Sequence, residues 1–372
     1  MFSRNIFKDI EKLIFKEHDD YLNIRDDHRM HIQAFLSKPS FDATLVLYRF
    51  IAGVHKKEWL FNLIDDLRVY EKGFKKILPK HREHYRHSAS VYLLGFAIYN
   101  NCKRLRDALN TERHEPTMRH QQKTSFMFRW ALAACLHDLA YPLELSLNSF
   151  NTYSSYLHEM KDCNFITIDP LIYEKFNLLP ILEESNSIQP DIRKDTALGL
   201  IARCLVGNDN RYHPICHDTL LKLLEKYLTS SLAAGRVDHG IFSSIITLKR
   251  IHELYRNNSW NALDFYYEVV EASTAIFLHN SYKYSELKSI YGNGKFPYDY
   301  PSSLGFLLSV SDTLCEWLRG EKQDYDSYGL FVNDDEIVFR VPRSRVNKIQ
   351  EAVMLFDTRL PIKVTDKWGN MN

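Results

Sequence analysis

Apolar residues recur at helical intervals from the start of the chain to about Arg319, a pattern that predicts a mainly α protein. In residues 1–75, Leu47, Phe50, Ile51 and Val54 share one helical face, so this segment reads as a helical lead-in packed on a larger core. The spacing returns at Thr219–Leu228, Ile241–Tyr255, Leu263–His279 and Leu304–Leu318. Between 145 and 235 it breaks down. Asn148–Ser155 is polar and turn-rich, and Pro170, Pro180 and Pro190 interrupt the stretch beyond it, which predicts an insertion of short helices. After Gly320 the period changes from helix to strand. Leu330-Phe331-Val332, a turn at Asn333-Asp334 and Glu336–Val341 read as a β-hairpin, Ser344–Phe356 as an amphipathic helix, and Pro361–Thr365 as a third strand. The expected organisation is the lead-in over 1–75, a core domain over 76–321 and a small C-terminal α+β element over 322–372.

Polar residues placed on the apolar faces carry the chemistry. His87 shares a face with Val91, Leu94 and Ile98, so its imidazole points towards the core. His137 and Asp138 end the run Trp130-Ala131-Leu132-Ala133-Ala134-Cys135-Leu136, where an ionised carboxylate is costly without a cation or a hydrogen-bond network. Asp312 interrupts an apolar helix on the face of Leu308 and Cys315. His239 opens one helix, in Asp238-His239-Gly240, and His279 closes another, in Ala275-Ile276-Phe277-Leu278-His279-Asn280. Imidazole and carboxylate together suit a divalent ion such as Mn, Fe, Zn, Co or Mg.

The order His87, His137-Asp138, His239, His279, Asp312 resembles the H…HD…H…H…D signature of the HD-domain phosphohydrolase superfamily. The flanks Arg-His-Ser, Leu-His-Asp-x-Ala-Tyr-Pro, Asp-His-Gly and Ser-Asp-Thr-Leu are similar to those of family members, over roughly residues 80 to 320. The resemblance implies a helical HD-domain bundle. It implies His87, His137, Asp138 and Asp312 as ligands of a first metal, and His239 and His279 as ligands of a second, bridged by Asp138. It further implies hydrolysis of a phosphomonoester or phosphodiester, expected in a nucleotide, by a metal-bound hydroxide. His137 and Asp138 would be central to catalysis. Some two-metal members carry a further His beside the fourth one, where this chain has Asn280, so one or two ions are expected.

Other features bear on substrate. The stretch Lys72–Lys123 is rich in Lys and Arg, either a solvated face or a positive field for an anionic substrate. Arg82, Arg86, His84 and Lys283 are candidate substrate contacts, and Arg319 a more distant one. Two alternative functions remain open: an HD-type nuclease that tracks single-stranded nucleic acid along the basic stretch, and a regulatory module that binds a nucleotide or metal with little turnover. A second His-Asp pair, His217-Asp218, precedes a helix start, so Asp218 reads as an N-cap residue rather than a ligand.

Composition narrows the field without naming a substrate. Formal net charge is +1 over 372 residues, which implies no general attraction to nucleic acid or membrane. No stretch approaches the roughly 20 apolar residues of a membrane span, and Met1–Phe15 lacks the apolar core of a signal peptide. Six cysteines without a C-x-x-C pair read as buried free thiols in a reducing compartment, which makes a cytoplasmic protein, with a homo-oligomer open, the expectation. Phosphate-binding P-loop, dinucleotide and serine-hydrolase motifs are absent.

Overall fold

In the computed structural model, the described residues are 5–16, 26–77, 84–110, 126–158, 196–206, 215–258, 265–281, 284, 287, 290–291, 294–299, 303–315, 317 and 325–367. The fold is mainly helical with a small three-stranded sheet near the C-terminus, as the periodicity predicts. The chain forms two compact units. The first joins Met1–Glu112 to Phe296–Asn372, and the second is the intervening Arg113–Lys295.

The first unit is built around helix α5 (His84–Asn101), which is buried along its length except at Arg86. Ser88, Ala89, Ser90, Gly95 and Ala97 keep this helix slim enough for neighbours to close on every side. Those neighbours are α1 (Ile6–Ile14), α3 (Phe41–Val54), α4 (Glu58–Ile77), α6 (Lys103–Leu109) and the wholly buried α13 (Ser303–Leu314). Helix α2 (Asp26–Ser37) packs on α1 and α3. Along α4, Leu60, Leu63, Ile64 and Leu67 form the buried stripe. Glu71, one turn further on, accepts the backbone N–H groups of His84 at 2.6 Å and Tyr85 at 3.0 Å. A carboxylate therefore satisfies donors that the first turn of α5 cannot pair internally, and complements the helix dipole there.

Both ends of the chain meet in this unit. Asp9 of α1 is buried because its carboxylate accepts the Leu330 N–H at 3.1 Å, and the Ile6 N–H donates to the Tyr325 carbonyl. Strand β1 (Gly329–Val332) runs antiparallel to β2 (Ile337–Arg340), and β3 (Ile362–Thr365) lies parallel on the other edge of β2. Between β1 and β2, the Asn333 side chain accepts the N–H groups of Asp335 and Glu336, both at 2.9 Å, which fixes the anticipated turn. The amphipathic helix α14 (Val346–Val353) connects β2 to β3 and packs on β3 and α13. Arg340 is buried, and its Nη2 donates to the carbonyls of Asp326 and Tyr328.

The second unit contains α7 (Phe126–Leu136), α8 (Tyr141–His158), α9 (Ala197–Val206), α10 (His217–Ala233), α11 (His239–Asn258) and α12 (Glu271–Ser281). Helix α12 is buried throughout and packs on α7, α9 and α11. Two expectations are corrected here. Asn148–Ser155, read as turns, lies inside α8; Ser146 and Thr152 donate to the carbonyls of Pro142 and Asn148, spending their hydroxyls within the helix instead of breaking it. The helix expected to run evenly to His279 instead enters α12 through a π-helical turn at Phe265–Val270. Directly after that turn, the Glu271 carboxylate forms a buried ion pair with Arg129 of α7.

Candidate metal centre

In the first unit, His87 of α5 and Asp312 of α13 meet inside the core, with Nε2 of His87 2.9 Å from Oδ1 of Asp312. An ionised carboxylate only accepts, so the ring carries its proton on Nε2 and donates it there. His84, a candidate substrate contact, is buried and lies edge-on to His87. Arg86 donates through Nη1 to the Pro39 carbonyl at 3.0 Å. Arg82, Lys283 and Arg319 lie outside the described residues.

In the second unit the pattern is reversed. A tight turn follows α7: the Leu139 N–H donates to Leu136 O, and the Tyr141 N–H to Asp138 O. Ser243 of α11 holds this turn by accepting the Ala140 N–H at 2.8 Å. The turn places His137 and Asp138, both buried, beside His239 at the start of α11 and His279 near the end of α12. His137 bonds through Nδ1 to the Ala134 carbonyl at 2.9 Å, and His279 through Nδ1 to the Ile276 carbonyl. His239 bonds through Nδ1 to Oε2 of Glu144 at 2.6 Å. Each partner is an acceptor, so each ring carries its proton on Nδ1, and Nε2 is the lone-pair nitrogen of the neutral form.

Two of those Nε2 atoms face one carboxylate. His137 Nε2 lies 3.2 Å from Oδ2 of Asp138, and His239 Nε2 lies 3.5 Å from Oδ1. The rings of His137 and His239 each lie against that of His279, at 5.2 and 5.4 Å between centroids. His137, Asp138 and His279 offer ligand atoms within 4.8 Å of one another. Lone pairs facing a carboxylate repel unless a cation or a proton stands between them. The titration of His239 reflects this. Burial opposes its charge, but the Glu144 hydrogen bond and the fields of Asp138, Asp238 and Glu144 outweigh it and push the imidazole up to about 9.

Supporting residues whose roles the sequence did not assign complete the frame. Asp238 precedes α11, and its Oδ1 accepts the Ile241 N–H at 2.9 Å. Asn280, which stands beside His279 where some family members carry a further histidine, donates through Nδ2 to Oδ2 of Asp238 at 3.0 Å. It therefore braces the start of α11. Gly240 leaves room for His279, since a Cβ there would lie 2.9 Å from Cε1 of that ring. Glu144 gave one sequence signal only, as an acid in the first turn of a helix.

The other His-Asp pair shows what the motif alone is worth. Asp218 is 85% exposed and hydrogen-bonds within its own helix end, with Nδ1 of His217 at 3.0 Å. The N-cap position belongs to Cys216 rather than Asp218, because His217 already starts α10 and its ring reaches the Gly199 carbonyl. Cys216 is also exposed, unlike the buried Cys102, Cys135, Cys204 and Cys315; all are free thiols, and Cys163 lies outside the described residues. Burial pushes the Cys135 thiol far up, so two residues before His137 no thiolate competes for a metal. In the basic stretch, Arg104 bonds to the Arg359 carbonyl and Arg106 to the Asn100 carbonyl, so both are engaged within the protein. No helix among the described residues is long and apolar enough to cross a membrane. Compared with protein-family models, with characterised proteins and with solved structures, the chain gives no match.

Proposed function

We propose that this chain is an HD-type, metal-dependent phosphohydrolase acting on a phosphate ester of a nucleotide. One observation carries the reading: His137, His239 and His279 each commit Nδ1 to an acceptor and turn Nε2 towards the Asp138 carboxylate or its neighbours. Histidines held in this way are the usual preparation for metal ligation. The donor set of imidazole nitrogen and carboxylate fits Mn, Fe, Co or Zn better than the harder Mg. When bound, such ions would activate water and neutralise charge on the phosphoryl oxygens.

On this reading, within the second unit, Asp138, His239 and His279 hold the ion that the resemblance gives as the second, and His137 and Asp138 are ligands of the first. The buried free thiols fit a reducing compartment. The test is metal content of the purified chain beside Asp138→Ala, together with phosphate release across a panel of nucleotides. Bound transition metal and hydrolysis, both lost on substitution, support the enzyme. A chain that binds no metal and stays inactive after Mn or Fe is supplied sinks it.

A further inference from the structure

Glu144 takes no part in the proposed ligand set, yet it makes the closest contact to one of its members. Its Oε2 accepts from His239 twice: from Nδ1 at 2.6 Å and from the backbone N–H at 3.0 Å. The N–H of His239 stands at the first position of α11, where a helix leaves donors without internal partners. One carboxylate oxygen thus anchors both the end of the helix and the ring it presents. The other two rings of the cluster bond through Nδ1 to neutral carbonyls, Ala134 and Ile276. At Nδ1 His239 bonds instead to a carboxylate, and it is less enclosed than His137, with 17% of its side chain exposed against 0%. A ring at the open edge of the cluster has fewer walls to hold it, and Glu144 supplies the missing restraint.

We infer that Glu144 is a positioning residue for the second metal ion: it fixes the His239 ring with Nε2 towards Asp138 and raises the basicity of that nitrogen. The inference rests on the metal-centre reading above. It predicts that loss of Glu144 weakens one ion and spares the other. Ligand-orienting partners of this kind are worth about 10–100-fold in metal affinity.

The experiment is titration of the metal-stripped full chain with cobalt(II), following stoichiometry by dialysis and coordination by visible absorption. Wild type, Glu144→Gln, Glu144→Leu and Asp138→Ala are compared, with thermal melting to confirm folding. Wild type should take up two ions. Glu144→Leu should keep one and bind the other about 10–100-fold more weakly, with loss of the matching absorption band. Glu144→Gln should fall between, because an amide oxygen accepts the same two hydrogen bonds without the charge. Two ions in Glu144→Leu at wild-type affinity and with the wild-type spectrum would overturn the role of Glu144 and leave the metal centre standing. A wild type that takes up one ion, unaffected by either Glu144 variant, overturns the second site and this role with it. A wild type that takes up none overturns the metal-centre reading itself. Should Glu144→Leu fail to fold, a Glu144→Gln variant with unchanged affinity and spectrum is enough to overturn the inference.

Discussion

The two units handle buried polar chemistry in opposite ways. In the first, His87 gives its Nε2 proton directly to Asp312 within the core. In the second, His137, His239 and His279 spend their Nδ1 protons on other acceptors and gather lone pairs around Asp138. In the first arrangement a proton already bridges imidazole and carboxylate, and a metal would have to displace it. The second already needs a positive charge, and His239 gathers one as a raised pKa. Similar residues at similar burial can therefore form a closed hydrogen bond or a cation-seeking cluster. The choice lies in which ring nitrogen the neighbours engage.

That contrast can be broken in several ways. The largest effect on stability is expected at Arg129, where Arg129→Met removes the ion-pair partner of the buried Glu271 at the start of α12. Breaking one side of such a pair costs about 3–5 kcal/mol. Chemical denaturation would read it, and a loss below about 1 kcal/mol would mean that the pair does not organise the helices bearing His137 and His279. Next is Asp312→Ala, which in the metal-stripped chain should cost about 1–3 kcal/mol by removing the acceptor of the His87 Nε2 proton. No loss there would contradict a stabilising role for the pair. Gly240→Ala should cost a comparable 1–3 kcal/mol, roughly, from crowding the His279 ring. It should also weaken one metal ion while leaving the Asp312 pair intact, a split that metal titration would detect.

A subtler distinction comes from pH. In the metal-free chain His239 is held up at about 9 against 6.5 for the ordinary group. Its contribution to stability is therefore complete below 6.5 and is lost as pH rises through 9. Denaturation of the metal-stripped chain at pH 7 and pH 10 should show this loss in wild type and a smaller one in Glu144→Gln. Identical pH dependence would mean that Glu144 does not hold the proton. The smallest effect is expected at the exposed pair, where Asp218→Ala should change stability by no more than about 0.5 kcal/mol and leave metal content untouched.

Much of this was legible in the pattern of residues because burial and periodicity speak the same language. His87 and Asp312 were recognisable as polar atoms on apolar helical faces, and both are buried. The C-terminal hairpin announced itself through its alternation and the turn at Asn333. Glu144 was not legible, since its partner lies 95 residues away and an acid in a first helical turn is ordinary. Gly240 was visible as part of a motif, but its purpose is a distance to another helix, which no one-dimensional spacing encodes. The stretch Asn148–Ser155 misled because Ser, Thr and Asn favour turns on average, whereas here Ser146 and Thr152 bond back along their own helix.

The first unit is assembled from both ends of the chain, with the second inserted between them. On the ribosome this sets an order of events. Helix α5 is made early, but α13, which carries the partner of His87, comes 225 residues later. At typical elongation rates the interval is about 10–45 s. During that time the second unit is complete in sequence and can fold, while α5 has its neighbours α1, α3, α4 and α6 but lacks α13. Closure of the His87–Asp312 pair is then a late step in biogenesis, and a nascent chain stalled before residue 296 would display α5 as a surface for chaperones.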